Sequence, residues 1–153
     1  MAKVVVTGGA GFIGSHIVDT LLARKHEVHV IDDLSSGSKA NLAQAKGVTL
    51  HVVDIRSKEA KSLVEQLAPD FVVHAAAQVS VRISMDDPAL DTDLNVTGLV
   101  NILSALRDRK GSHVVFLSSG GAIYGEQTSF PAKEDHPIKP ESVYGLSKRV
   151  GEE

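Results

Sequence analysis

Uninterrupted apolar runs alternate along the chain with segments whose apolar positions recur every three or four residues. The first run, about 3–7, contains Val4, Val5 and Val6 in succession, as expected of a strand buried on both faces. The next segment, about 12–25, has the helical period and places Ile13, Ile17, Leu21 and Leu22 on one face. Further strands are predicted at 27–31, 48–53, 70–74 and 113–118, and a helix at 58–67 with Ser57 as its cap. A long helix is expected from Pro88, a good first-turn residue capped by Asp87, to about 109. Leu90, Leu94, Leu103 and Leu106 form its expected core stripe. Residues 33–46 read as a polar loop with a short helix, and the stretch after the fifth strand, to about 142, as a loop rich in Gly and Pro. A last helix begins near 143.

Strands alternating with helices predict an α/β fold, a doubly wound parallel sheet of at least five strands with helices on both faces. Ligands of such sheets lie beyond the carboxyl ends of the strands, so the loops there carry the candidate chemistry.

Composition narrows the classes. At 153 residues the chain is long enough for one domain with a real core. A net charge of −3 offers no electrostatic footprint for nucleic acid or an anionic membrane, and 4% aromatic residues disfavour a base-stacking surface. Without Cys there are no disulfides and no thiolate metal sites, and the seven His residues show no metal-ligand spacing. No signal-peptide pattern precedes the first strand, so a cytoplasmic location is the expectation.

Gly8, Gly11 and Gly14 lie between the first strand and the first helix. In this context one glycine permits a tight turn, one lets a pyrophosphate approach the backbone, and one lets helix and strand pack closely. The helix N-terminus then offers N–H groups and partial positive charge to phosphates. Asp32 ends the second strand, where an acidic side chain holds the ribose 2′-hydroxyl, so the expected cofactor is NAD rather than NADP. Asp33 adds negative charge there, and Lys39 is the nearest base in sequence. Asp54, ending the third strand, reads equally as an adenine contact or as a turn residue before Ser57. The domain is therefore of the Rossmann type. Such a domain has a sixth strand, and none remains before Glu153. The expectation is a dinucleotide-binding domain over 1–153, incomplete at its C-terminus, with the substrate domain absent.

Tyr144 and Lys148 are four residues apart and share a face if helical. A free Tyr has a pKa of about 10, so a tyrosine base near pH 7 must be lowered by roughly three units. An adjacent ammonium favours the phenolate, and general acid–base help of this kind typically contributes about 10²–10⁴ in rate. Ser118 and Ser119, followed by Gly120 and Gly121, lie just past the fifth strand. A hydroxyl there is suited to bridging a substrate hydroxyl to Tyr144, and the alternative is a polar turn.

Together these residues resemble a known family. TGGAGFIGSH at 7–16, IDDLSSG at 31–37, DI at 54–55, HAAAQVSV at 74–81, LNVTG at 94–98, SSGGAIYG at 118–125 and YGLSK at 144–148 are similar to the N-terminal part of the extended short-chain dehydrogenases/reductases. The likeness is to the nucleotide-sugar epimerase and dehydratase branch, and within it to the UDP-glucose 4-epimerases. The resemblance implies that Gly8, Gly11, Phe12, Ile13 and Gly14 line the pyrophosphate loop. Asp32, with Asp33, Ser35, Ser36 and Gly37, would surround the adenosine ribose. Asp54 and Ile55 would contact adenine, and Ala75, Ala76 and Ala77 would pass under the NAD cofactor near Asn95. Tyr144 is implied as base, Lys148 as its partner, and a UDP-sugar as substrate of a homodimeric parent enzyme. The family's usual catalytic Ser or Thr falls on Gly120, leaving Ser119 or Ser118 to supply a hydroxyl. The Asp-Glu pair of the dehydratases falls on Gly121 and Ala122, which argues against elimination of water.

Overall fold

The computed structural model describes residues 1–153 throughout. Five strands, β1 (Lys3–Thr7), β2 (Glu27–Ile31), β3 (Thr49–His51), β4 (Phe71–His74) and β5 (His113–Phe116), form one parallel sheet in the order β3-β2-β1-β4-β5. The helices are α1 (Phe12–Ala23), α2 (Lys58–Leu67), α3 (Val81–Asp86), α4 (Pro88–Thr92), α5 (Gly98–Ser104), α6 (Gly120–Ile123) and α7 (Val143–Glu152). A 3₁₀ turn occupies Lys39–Leu42 and a π turn Asp93–Thr97. None of the helices is long and apolar enough to cross a membrane.

The chain forms two compact units. The first comprises residues 1–77 and 98–117 and contains the sheet with α1, α2 and α5. In it β1 pairs with β2 on one side and with β4 on the other, Val5 meeting His29 and Val72. The strand order reverses between β1 and β4, the switch point at which doubly wound sheets bind ligands. Alternation along β1 feeds two cores. Val4 and Val6 join Val18, Val28, Val30 and Val73, with Ile17, Leu21 and Leu22 of α1 packed against them. Val5 joins Ile31, Val72, Ala60 and Val64 of α2, and Ile102 of α5. Helices therefore cover both faces of the sheet, which explains why Val4, Val5 and Val6 are all buried.

The caps follow local chemistry. Ser57 Oγ accepts the Ala60 N–H at 3.0 Å at the start of α2, as expected. The α4 N-terminus is closed by Asp87, whose Oδ1 accepts the Leu90 N–H at 3.0 Å, with Pro88 in the first turn. In the second unit, residues 78–97 and 118–153, Ser142 Oγ caps α7 through the Gly145 N–H at 3.0 Å.

Three expectations need correction. The helix predicted over 88–109 is instead α4, the π turn and α5. Its buried positions are Asp91, Asn95, Gly98, Leu99 and Ile102, whereas Leu90 and Leu103 are exposed. The leucine stripe misled because hydropathy places Asp91 and Asn95 on the surface, while hydrogen bonds offset the cost of burying them. In α1 the buried face runs through Gly14, Ser15 and Val18, and Ile13 is exposed. β3 spans only Thr49–His51 of the predicted 48–53. The helices α3 and α6 were not foreseen, since each is too short to show a period.

Candidate functional site

In the first unit the turn from β1 into α1 depends on its glycines. Gly8 has a positive φ of 67°, and a Cβ on it would lie 2.6 Å from the Ala76 nitrogen. A Cβ on Gly14 would lie 2.1 Å from the Gly8 carbonyl oxygen. Helix and turn are therefore in direct backbone contact, and Gly11 N–H donates to that same Gly8 oxygen at 3.1 Å. Gly11 is the N-cap of α1 and has no side chain to satisfy the first turn. The N–H groups of Phe12, Ile13 and Gly14 accordingly have no intrahelical acceptor. With no acidic residue in that turn, it is suited to an anion. The Phe12 and Ile13 side chains point away from the core and are exposed.

Asp32 is buried at the end of β2. Its Oδ2 accepts the Ala10 N–H and its Oδ1 the Leu34 N–H, both at 2.9 Å. The Ala10 carbonyl in turn accepts from Ser38 N–H at 3.0 Å and from Asn41 Nδ2 at 2.8 Å. One carboxylate thus ties the glycine turn to the loop after β2. A carboxylate has about four acceptor sites, so two remain for a pair of hydroxyls. Gly37 lies against this group: a Cβ there would be 2.9 Å from Asp32 Oδ1. Asp33 and Ser36 are exposed, and Asp33 Oδ1 accepts from the Ser35 N–H and hydroxyl at 2.9 and 2.6 Å.

Asp54 takes a turn role. Both its oxygens accept from Arg56, Oδ2 from Nη2 at 2.6 Å and Oδ1 from the backbone N–H at 2.8 Å. This hydrogen bonding to Arg56 holds the Asp54 carboxyl below its ordinary pKa. The Ile55 side chain is a core residue, against which a Cβ on Gly98 would lie at 2.6 Å. The Ile55 carbonyl accepts from Asn101 Nδ2 at 2.7 Å. Beyond β4, Ala75 N–H donates to the Thr7 carbonyl at 3.1 Å and Ala76 N–H to Thr7 Oγ1 at 3.3 Å. Thr7 Oγ1 also meets His74 Nδ1 at 3.0 Å, so a buried pair of side chains sets the path of the alanine run.

In the second unit Tyr144 and Lys148 both lie on the buried face of α7, at 9% and 4% exposure. Lys148 Nζ lies 5.9 Å from the Tyr144 ring centroid. Burial lowers the Lys148 pKa from 10.5 to about 8, opposed by the charge of Asp91. Ser119 occupies the N-cap position of α6, but its hydroxyl makes no capping bond. Ser118 is exposed. A Cβ on Gly120 would meet nothing closer than the Tyr124 ring at 3.6 Å, and one on Gly121 nothing within 4 Å.

Asn95 is buried, and its amide is committed to the protein. Oδ1 accepts Gln78 N–H at 2.9 Å, while Nδ2 donates to the Gln78 carbonyl at 3.0 Å and to Asp91 Oδ1 at 3.1 Å. The sequence reading brought out neither Gln78 nor Asp91 nor Ser147, yet they form one network. Gln78 Nε2 donates to Asp91 Oδ1 at 2.8 Å, and Ser147 Oγ to Asp91 Oδ2 at 2.6 Å. The available signal was the spacing of Asp91 and Asn95, four apart on a predicted helix. Asn41 was missed as well, and nothing in its loop marked it.

The profile of the NAD dependent epimerase/dehydratase family matches residues 4–153. A putative UDP-glucose 4-epimerase of Methanocaldococcus jannaschii is 47% identical over 151 residues, covering 98% of this chain and 48% of that protein. The UDP-glucose 4-epimerase of Mycolicibacterium smegmatis is 42% identical over 153 residues, covering 98% and 49%. Among solved structures, the Thermus thermophilus UDP-glucose 4-epimerase complex with NAD superimposes with a TM-score of 0.91 at 47% identity, covering 98% of this chain and 48% of that one. The Thermotoga maritima enzyme with UDP-glucose gives 0.91 at 39% identity, covering 98% and 48%. The chain thus spans about half the length of the curated relatives it matches.

Proposed function

We propose that this chain, which belongs to the NAD dependent epimerase/dehydratase family, is the dinucleotide-binding part of a nucleotide-sugar 4-epimerase acting on a UDP-hexose such as UDP-glucose or UDP-galactose. The observation that carries the reading is the pairing of Tyr144 with Lys148, one turn apart and both buried on α7. The glycine turn fits NAD, because Gly11 at the N-cap leaves the first N–H groups of α1 without a side-chain partner and no acidic residue stands beside them. Gly8, Gly11, Phe12, Ile13 and Gly14 would hold the pyrophosphate, and Asp32 with Gly37 the adenosine ribose. Asp33 and Ser36 would lie at the ribose rim, Asp54 and Ile55 at the adenine, and Ala75, Ala76 and Ala77 beside the cofactor. Asn95 would serve by shaping the backbone of Gln78. When bound, NAD supplies a reversible oxidant for the sugar C4 position.

The residues of the chain move and hold the proton. Tyr144 takes the proton of the C4 hydroxyl and returns it when the opposite configuration is formed. The Lys148 ammonium favours the phenolate of Tyr144 by charge and binds the nicotinamide ribose. Ser119, whose hydroxyl is not spent on capping α6, bridges the sugar hydroxyl to Tyr144. Net redox change is zero, which separates this reading from a nucleotide-sugar oxidoreductase that releases NADH. The relatives named for UDP-glucose 4-epimerase activity support the substrate class. The same reading makes the whole protein a homodimer, with Leu146 and Val150 on the exposed face of α7 as apolar contacts.

Calorimetric titration of the chain with NAD, with NADP as control, tests the cofactor half of this reading. One-site binding that prefers NAD is expected, and equal affinity for the two overturns it. In the whole protein, Tyr144→Phe is expected to abolish interconversion of UDP-glucose and UDP-galactose while leaving NAD affinity nearly unchanged. Retained turnover would remove Tyr144 as base.

A further inference from the structure

Asp91 is the most deeply buried carboxyl group of the chain, at 0% exposure, and neither the glycine turn nor the Tyr144–Lys148 pair explains why a charge is kept there. Its oxygens accept from three neutral donors: Gln78 Nε2 and Asn95 Nδ2 on Oδ1, and Ser147 Oγ on Oδ2. These bonds solvate the carboxylate but leave its charge unbalanced, and a buried charge is costly unless paired. The residue after Ser147 is Lys148, itself 4% exposed.

We propose that Asp91 is the positioning residue for Lys148: it anchors α7 through the Ser147 hydroxyl and supplies the buried negative charge against which the Lys148 ammonium is held beside Tyr144. The functional meaning rests on reading Lys148 as the partner of Tyr144. The other titratable groups of α7 and of the elements packed against it in this unit are differently engaged. Arg82 and Asp86 of α3 form an exposed pair at 3.7 Å, and Asp93 of the π turn is half-buried. α6 has no ionisable side chain. On α7, Arg149 pairs with Glu152 at 3.2 Å and with Glu153. The charge that acts on Lys148, against the effect of burial, is that of Asp91.

Asp91→Asn removes the charge with little change of shape. Its Oδ1 still accepts from Gln78 and Asn95, and its Nδ2 donates to Ser147 Oγ, since a hydroxyl accepts as well as donates. The test follows the Lys148 side chain by NMR in lysine-labelled protein across a pH titration, assigned by its loss in Lys148→Met. The proton affinity read from the midpoint near 8 is expected to fall at least tenfold in Asp91→Asn. Ser147→Ala, which keeps the charge and loses one bond, is expected to move it much less. An unchanged midpoint in Asp91→Asn, or equal shifts in the two variants, overturns the proposal. If Asp91→Asn does not fold, the unmodified chain decides: the Asp91 carboxyl carbon must show a step at the Lys148 midpoint, and a flat trace there overturns the coupling. The titration needs neither cofactor nor turnover. Failure to bind NAD would therefore undo the proposed function and leave this coupling standing, and the reverse result would separate them the other way.

Discussion

Gly14 and Gly8 are in backbone contact across the first turn of α1: a single methyl group on Gly14 would sit 2.1 Å from the Gly8 carbonyl oxygen. The obstruction is main chain on a buried turn, so no side-chain rotation relieves it. Overpacking of this kind typically costs about 1–3 kcal/mol, sometimes more. Gly14→Ala is therefore expected to lower stability by at least that amount and to displace the Phe12 and Ile13 N–H groups. Urea unfolding and NAD calorimetry check it; a variant that keeps both stability and affinity would show that the contact is not required.

Asp32 has a structural role as well as the proposed ribose contact, because Ala10 and Leu34 N–H both donate to it. Asp32→Ala leaves the buried Ala10 N–H without its acceptor, a loss of about 1–3 kcal/mol. It also removes the charge that opposes a 2′-phosphate. Stability should fall, and NAD affinity should fall more than NADP affinity. Comparing the two dissociation constants separates the roles, since a purely structural Asp32 would weaken both cofactors equally.

Gly120 stands where the resemblance places a catalytic hydroxyl, yet the space beside it is open: an added Cβ would make ordinary contact with the Tyr124 ring at 3.6 Å. Gly120→Ser is expected to fold with stability within about 1 kcal/mol of the parent, since no overpacking arises. If Ser119 already supplies the hydroxyl, turnover of the whole protein should change less than threefold in Gly120→Ser and fall at least tenfold in Ser119→Ala. Steady-state rates of the two variants side by side check this, and an unchanged rate in Ser119→Ala would remove that residue from the mechanism.

Lys148 links stability to pH. Its pKa is 10.5 in a solvated chain and about 8 in the fold. Between those values the unfolded chain holds a proton that the folded chain has released, so this group's contribution to stability rises as pH rises from about 8 to 10.5. Below about 8 both states are protonated and the contribution is constant at its least favourable. The gain across the window is on the order of 3 kcal/mol at most. Urea unfolding of the chain and of Lys148→Met at about pH 7.5 and about pH 9.5 should show the chain gaining relative to the variant at the higher pH. A difference that stays constant would refute the lowered pKa.

The sequence by itself determined the elements that depend on local and periodic chemistry. Three consecutive valines followed by a glycine turn specify β1 and α1, because backbone contact at Gly8 and Gly14 admits no other residue. Ser57 and Asp87 mark helix starts, because a short side-chain oxygen satisfies the N–H three residues on. The βα alternation determined a parallel doubly wound sheet, and the fourfold spacing of Tyr144 and Lys148 put them on one face of α7. Only the tertiary structure decided which face of 88–104 is buried, since Asp91 and Asn95 become interior residues through partners at Gln78 and Ser147 that lie far away in the chain. It likewise decided that Asp54 is engaged by Arg56, that Ile55 is core, and that Asn41 holds Ala10. Hydropathy reads each position alone, whereas the burial of a polar group depends on whether distant donors converge on it, and that is settled only when the chain has folded.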